Sequence, residues 1–385
     1  MRLLRRLRRS GVKLDQSKYF MTGRRRPSWL SVVSLSVGTV SLVAALFAAP
    51  AAAEQKQLTR AQIADRMTAG EIDGNPLFAT QAERRIMFSE AVYLFPTRTV
   101  EASDAPLPLR HAQRDLSQLS YAVDGQTYLL ADFLQQHPLL GLIVVQDDQI
   151  LLEHYAADHG PQRLWNSFSV TKSVSSMLIG AAIQDGYIAS LDDMVADYLP
   201  SLKNSAYAAV TIEQLLQMAS GVAWDEDYTN PASDVSRAGA LNGVELIRYL
   251  SRLERKHPAG EVFNYNTGEA NLVGELLRAA VGVPAATYLS RRVWQPFGME
   301  TDAVWLLDRT EGAETGGCCI SATLRDFARL GLFAMRDGVL PDGTRVLPKG
   351  WIEASTQPSP GNEDYGYQWW IDGEGRVLAA GIFGQ

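Results

Sequence analysis

Cysteine is scarce. Only two occur in 385 residues, and they are neighbours, Cys318 and Cys319. Neighbouring cysteines bridge only with strain. They supply no disulfide framework, so a domain of this size must rest on its hydrophobic core. The simplest expectation is two small buried residues in a Gly-Gly-Cys-Cys-Ile turn. Histidine is also rare. The five (His111, His137, His154, His159 and His257) fall in loops or at strand ends, and nothing marks one of them as a catalytic base. No His-Glu-x-x-His or clustered Cys/His pattern occurs, so no metal or other cofactor is expected. There is no Gly-x-Ser-x-Gly elbow, which removes the α/β-hydrolase reading. No phosphate-binding glycine loop, internal repeat or low-complexity tract follows the first fifty residues.

Positive charge is outnumbered over most of the chain. The formal net charge is −7. Ten Arg and Lys fall within residues 1–53 against the single acid Asp15, so a leader near +9 precedes a body near −16. An acidic body argues against nucleic acid as a partner. The arginines precede an apolar run from Trp29 to Phe47 and then Ala-Ala-Pro-Ala-Ala-Ala-Glu. Basic flank, apolar segment and small-residue site form a secretory signal, with cleavage expected after Ala53 and a periplasmic or secreted product. The alternative is an uncleaved anchor, the one route to a membrane.

The remaining residues divide by pattern. Residues 54–120 look like an extension, with a short helix over Leu58–Gly70 and an extended linker at Asp104-Ala-Pro-Leu-Pro-Leu. A brief helix at Asp132–His137 is closed by Pro138. Two β-rich runs then flank Asp147-Asp148 between Gly141 and Tyr155, which reads as a hairpin. Residues 187–345 carry mostly helical signals. Thr211 caps one, Ala270–Val281 and Ser321–Met335 are amphipathic, and Gly338 follows the last. Beyond Pro360 the β pattern returns in Tyr365–Ile371 and Arg376–Ala380. Strands at both ends with helices between predict an α/β fold. One antiparallel sheet is built from both chain ends and flanked by helices, with a mostly helical region inserted. The main domain is then residues 121–385.

Chemistry gathers at Trp165-Asn-Ser-Phe-Ser-Val-Thr-Lys-Ser173. Ser169-x-x-Lys172 at a helix start places hydroxyl and amine one turn apart on the same face. The helix continues through Val174, Met177, Leu178 and Ala181 to a stop at Gly186. A buried lysine with a lowered pKa can take the serine proton, and the helix N-terminus favours developing negative charge. Ser-x-x-Lys alone is weak, and the leader holds a decoy at Ser10–Lys13. A second candidate is Tyr265, on a loop ahead of a helix, where a phenol near a lysine can shuttle a proton to a leaving group. A third is Gly381-Ile-Phe-Gly384, read as a glycine-flanked strand. There the N–H of Ile382 pairs with that of Ser169 as oxyanion donors.

Taken in order, Ser-x-x-Lys, a Tyr-x-Asn-like motif about a hundred residues on and a glycine-flanked strand resemble the serine β-lactamase/penicillin-binding superfamily. The match is to its class C-like and esterase branch. Phe95-Pro-Thr-Arg-Thr, Ser220-Gly-Val-x-Trp-Asp-Glu-Asp-Tyr228, Gly317-Cys-x-Ile-Ser-Ala-Thr-Leu-Arg-Asp, Gln368-Trp-Trp and Gly381-Ile-Phe-Gly-Gln385 are similar to aminohexanoate-dimer hydrolases. The resemblance implies acyl transfer to Ser169 with Lys172 as its base and Tyr265 as proton donor. It also implies that Tyr228 bonds the nitrogen of a scissile amide. Thr267 stands where the family has Asn, and a hydroxyl lacks the carboxamide fork. The family continues beyond a Gly381-type strand with another strand and a helix, so the reading frame is expected to extend past Gln385. The substrate implied is a small-molecule linear amide or ester. The rivals are a β-lactamase or D-alanyl peptidase, which favour a Lys-Thr-Gly-type strand, and a silent binding module on the same fold. Nothing in the sequence sets an oligomeric state.

Overall fold

Threonine opens several helices. Thr59, Thr80 and Thr211 each accept a hydrogen bond from the backbone three residues on, and Gln62, Glu83 and Gln214 answer from their side chains. These reciprocal caps satisfy donors that a helix start leaves unpaired. Three helices are thereby fixed at Arg60–Thr68, Gln81–Ser89 and Ile212–Leu216. The computed structural model describes residues 59–385, apart from 72–75, 117, 124, 138, 158 and 373–375. The leader, its cleavage site after Ala53, Pro138 and most of the turn after Asp372 lie outside the described residues.

The strands are short. In chain order they are β1 (Thr97–Val100), β2 (Arg110–His111), β3 (Ser120–Val123), β4 (Gln126–Leu129), β5 (Gly141–Gln146), β6 (Gln149–Tyr155) and β7 (Trp165–Asn166). They continue with β8 (Ala303–Leu306), β9 (Ile320–Ala322), β10 (Trp370–Ile371) and β11 (Val377–Leu378). The hairpin read around Asp147-Asp148 is present as β5 and β6, with Asp147 at φ +56 in the turn. A four-stranded antiparallel sheet runs β1-β8-β9-β7. It was not legible as a sheet. Two of its strands lie inside the stretch read as helical, because Ala303, Val304, Trp305 and all of Ile320–Ala322 are buried and lack the alternation of a half-exposed strand. The helix expected from Ser321 therefore starts later, at Leu324, with Thr323 as its cap.

Strand pairing also differs from one sheet drawn on both chain ends. β5 and β6 pair with β2, whereas β10 and β11 pair with each other. The C-terminal strands are two residues each and form a sheet of their own. Residues 381–384 are a turn rather than the expected strand. Phe383 and Gly384 have φ of +73° and +94°, and Gly381 N–H closes onto Gln385 O at 2.9 Å. Positive φ at consecutive residues is incompatible with a strand. Cys318 and Cys319 sit in a turn, where Cys319 is buried with φ +115. Neighbouring cysteines close no long loop, so the core carries the fold.

That core surrounds the helix Val170–Gln184. Every residue from Thr171 to Ala182 is buried, as for a helix enclosed on all sides. It packs against the helix Thr267–Val281, with Trp294, Trp305, Leu272 and Leu276 fully buried nearby. The two helices bring together residues about a hundred positions apart.

Candidate active site

Ser169 is the N-cap residue of the helix Val170–Gln184. The residue before it, Phe168, has φ +46, which an L-residue adopts only at a cost. It is held there by packing against Phe88 and Phe383, with ring centroids 4.6 and 5.1 Å away. One turn on, Lys172 is only 2% exposed. Its Nζ lies 3.0 Å from Ser169 Oγ, 2.9 Å from Gly317 O and 3.3 Å from Thr267 Oγ1. Three N–H groups thus meet three acceptors, which suits an ammonium. Burial lowers the Lys172 pKa from 10.5 to about 8, against the opposing pull of Glu226.

Consider what a neutral Lys172 can do. Its nitrogen then needs a proton to accept. Gly317 O has none to give, and the Thr267 hydroxyl donates to a Glu226 carboxylate oxygen. Of these three partners, Ser169 is the one whose hydroxyl proton is uncommitted. The surroundings therefore direct the lysine toward the serine.

The Gly317 carbonyl was not anticipated. Its loop is pinned from several sides. Asn271 Oδ1 accepts from Gly317 N–H at 2.8 Å, and Ser175 Oγ donates to Gly316 O at 2.6 Å. Gly316 and Gly274 meet backbone to backbone. A Cβ on Gly316 would lie 2.7 Å from both Ala270 O and Gly274 Cα. At the loop's start, the fully buried Glu314 takes Arg98, Arg278 and the backbone N–H groups of Ala285 and Ala286.

The Tyr265 ring lies beside Lys172. Lys172 Nζ stands 5.2 Å from its ring centroid. The ring stacks on Trp370 at 5.7 Å and meets Tyr365 edge-on at 6.0 Å. Asn266 caps the following helix by accepting from Glu269 N–H at 2.9 Å, which sets Thr267 at the first helical position. Thr267, doubtful from sequence because it replaces Asn, bridges Lys172 and Glu226 with its hydroxyl.

Tyr228 comes to the same place by way of Glu226. Its hydroxyl donates to Glu226 Oε1 at 2.7 Å. Burial, then the Glu226 charge, then Tyr265, push its pKa well above 10. Glu226 is not among the site residues expected from sequence, although its loop, Trp224-Asp-Glu-Asp-Tyr228, carries part of the family resemblance. A carboxylate two residues before a candidate tyrosine was the available signal. Ile382 lies in the closing turn. Gly381 approaches so near that a Cβ there would be 2.5 Å from Ser167 O and 3.3 Å from Phe168 Cβ. The turn therefore sits against the residues that lead into Ser169, as a turn and not as a strand.

The chain resembles known hydrolases in sequence and in fold. A curated 6-aminohexanoate-dimer hydrolase from Paenarthrobacter ureafaciens is 27% identical over 347 residues, covering 82% of this chain and 85% of that protein. A solved structure described as a candidate 6-aminohexanoate-dimer hydrolase from Bacillus anthracis matches with a TM-score of 0.70 at 22% identity, over 81% of this chain and 86% of that one. A candidate β-lactamase from Bacteroides dorei DSM 17855 matches with a TM-score of 0.53 at 18% identity, over 66% and 82%. These structural likenesses speak to fold. The family described as Beta-lactamase matches residues 129–385, more than half of the sequence. On that match the chain belongs to the β-lactamase family, within the serine β-lactamase/penicillin-binding superfamily, and is a hydrolase of that fold.

Proposed function

We propose that the protein is an exported serine hydrolase that cleaves linear amides and small esters through an acyl-enzyme on Ser169. The observation that carries this reading is the buried Lys172 amine, 3.0 Å from Ser169 Oγ with no other proton among its three partners to accept. Neutral Lys172 takes the hydroxyl proton as Oγ attacks the carbonyl carbon. The oxyanion forms at the start of a fifteen-residue helix, where the Ser169 N–H and the helix dipole favour it. We assign the second oxyanion donor to Ile382 N–H, on the strength of the turn lying against Phe168.

Collapse then breaks the bond to the leaving group. Tyr265 gives its proton to the departing nitrogen or oxygen and is reprotonated by the Lys172 ammonium. The proton lost by Ser169 so ends on the amine or alcohol. Water repeats the path in the second half, returning the proton to Ser169 and releasing a carboxylic acid. Tyr228 accepts the N–H of a scissile amide, the part of the reading that bears on amides in particular. The name of the Paenarthrobacter relative supports a linear amide as substrate class. Export rests on the leader of residues 1–53, and N-terminal sequencing of the mature protein should begin at Glu54.

The test is a substrate panel on the purified protein: aminohexanoate linear dimer, 4-nitrophenyl butyrate and nitrocefin, with labelling by a fluorophosphonate. Amide and ester turnover with one label, all lost in Ser169→Ala, is the expected result. Turnover surviving that substitution, or a folded protein that takes no label, would overturn the reading. Turnover of nitrocefin above both other substrates would make it a β-lactamase.

A further inference from the structure

Glu226 receives four hydrogen bonds, divided evenly between its oxygens. Oε1 takes the Tyr228 hydroxyl at 2.7 Å and the Thr267 hydroxyl. Oε2 takes the Trp224 indole N–H and the Thr267 backbone N–H, the latter at 3.0 Å. The two sides differ in kind. An indole N–H and a backbone N–H can only donate, whereas a hydroxyl can turn and either donate or accept. The direction of both hydroxyl protons is therefore a consequence of a carboxylate at this position. With its one proton on Glu226, the Tyr228 oxygen acts toward any further group as an acceptor.

We infer that Glu226 is a specificity-determining residue that sets the enzyme for amides by holding Tyr228 as an acceptor for the scissile N–H. The inference rests on the acyl-enzyme reading above. An amide nitrogen carries one hydrogen. Once that hydrogen is taken by Tyr228, the nitrogen's lone pair, as it pyramidalises, is turned away from Tyr228 and can receive the proton that expels the amine. An ester oxygen has no hydrogen and gains nothing from an acceptor. Glu226 also holds the Thr267 proton, which leaves Thr267 Oγ1 as an acceptor for Lys172. One side chain thus sets the polarity of two hydroxyls at the site.

Replacing the carboxylate by an amide tests this. In Glu226→Gln the NH2 cannot face Trp224 and Thr267 N–H, which would oppose donor to donor. It must take the Oε1 position, where both hydroxyls can turn and accept from it. The Tyr228 proton is then released toward the substrate, the wrong polarity for an amide N–H. The measurement is kcat/KM for aminohexanoate linear dimer and for the ester analogue in which oxygen replaces the scissile NH. Glu226→Gln should lower the amide-to-ester ratio about tenfold or more, the scale of one hydrogen bond to the reacting centre. Tyr228→Phe should lower the ratio comparably, and Glu226→Gln should then lower it no further. An equal fall in both substrates, or a ratio that Tyr228→Phe leaves unchanged, would overturn the inference. So would a fall that persists undiminished in the Phe background. If Glu226→Gln does not fold, the ratio in Tyr228→Phe alone still decides whether Tyr228 selects amides. Fluorophosphonate labelling of Ser169 in the same variants separates the two levels. A labelled enzyme with an unchanged ratio sinks the role of Glu226, whereas a wild type that takes no label sinks the acyl-enzyme reading.

Discussion

At the scale of single residues, the site depends on which protons are committed. Lys172 holds its ammonium with three acceptors, yet burial brings its pKa down to about 8. A base must be neutral to work, so kcat/KM should rise with pH through about 8, one proton lost per active enzyme. Glu226 and Tyr265 are the ionisable groups facing it. Glu226 favours the charged amine, and Thr267 adds an acceptor. Thr267→Val removes that acceptor and should move the limb to lower pH by roughly half a unit or more, while Thr267→Ser should leave it in place. A limb unmoved by both variants would mean that Thr267 does not support the ammonium. The serine and lysine were legible because their spacing is local, one helical turn. Glu226 and Gly317 O were not, because their meaning arises only when a loop, a helix start and a turn distant in sequence converge.

Among the elements, the loop carrying Gly317 has little freedom. It reaches Lys172 because Gly316 and Gly274 allow two backbones to touch. Gly316→Ala places a methyl 2.7 Å from Ala270 O and Gly274 Cα, and backbone cannot give way as a side-chain tip does. The loop must shift, taking the Gly317 carbonyl with it. Turnover should fall by an order of magnitude or more, and thermal stability by about 1–3 kcal/mol as for other overpacked sites. Gly331→Ala, where a Cβ meets nothing within 4 Å, is the control and should be close to neutral. What sequence made legible at this scale were elements with punctuation, such as the Asp147-Asp148 hairpin and the helices opened by Thr59 and Thr211. The strands Ala303–Leu306 and Ile320–Ala322 carry no alternation, since both faces are buried.

For the whole molecule, stability over pH is set in part by a carboxylate deep in the core. Glu269, on the helix that begins at Thr267, is 1% exposed. Burial raises its pKa from 4.5 to about 7, although Ser220, Tyr207 and the charge of Arg255 pull the other way. Ser220 Oγ and Tyr207 OH both donate to Oε1, Tyr207 at 3.0 Å. Below pH 4.5 the group is protonated whether the chain is folded or not, and it adds no pH dependence. Between 4.5 and about 7 the unfolded chain loses the proton while the folded chain keeps it, so stability falls as pH rises. Above about 7 both are ionised and the loss is complete, on the order of 3 kcal/mol from the size of the shift. The Lys172 titration lies higher and does not enter this window. Glu269→Gln keeps an acceptor for Ser220 and Tyr207 and removes the ionisation. Melting curves of the two proteins at pH 4.5, 6 and 8 should therefore diverge in favour of the Gln variant by several degrees as pH rises. A difference that stays constant across that range would mean that Glu269 ionises at its ordinary pKa and that its burial carries no such cost.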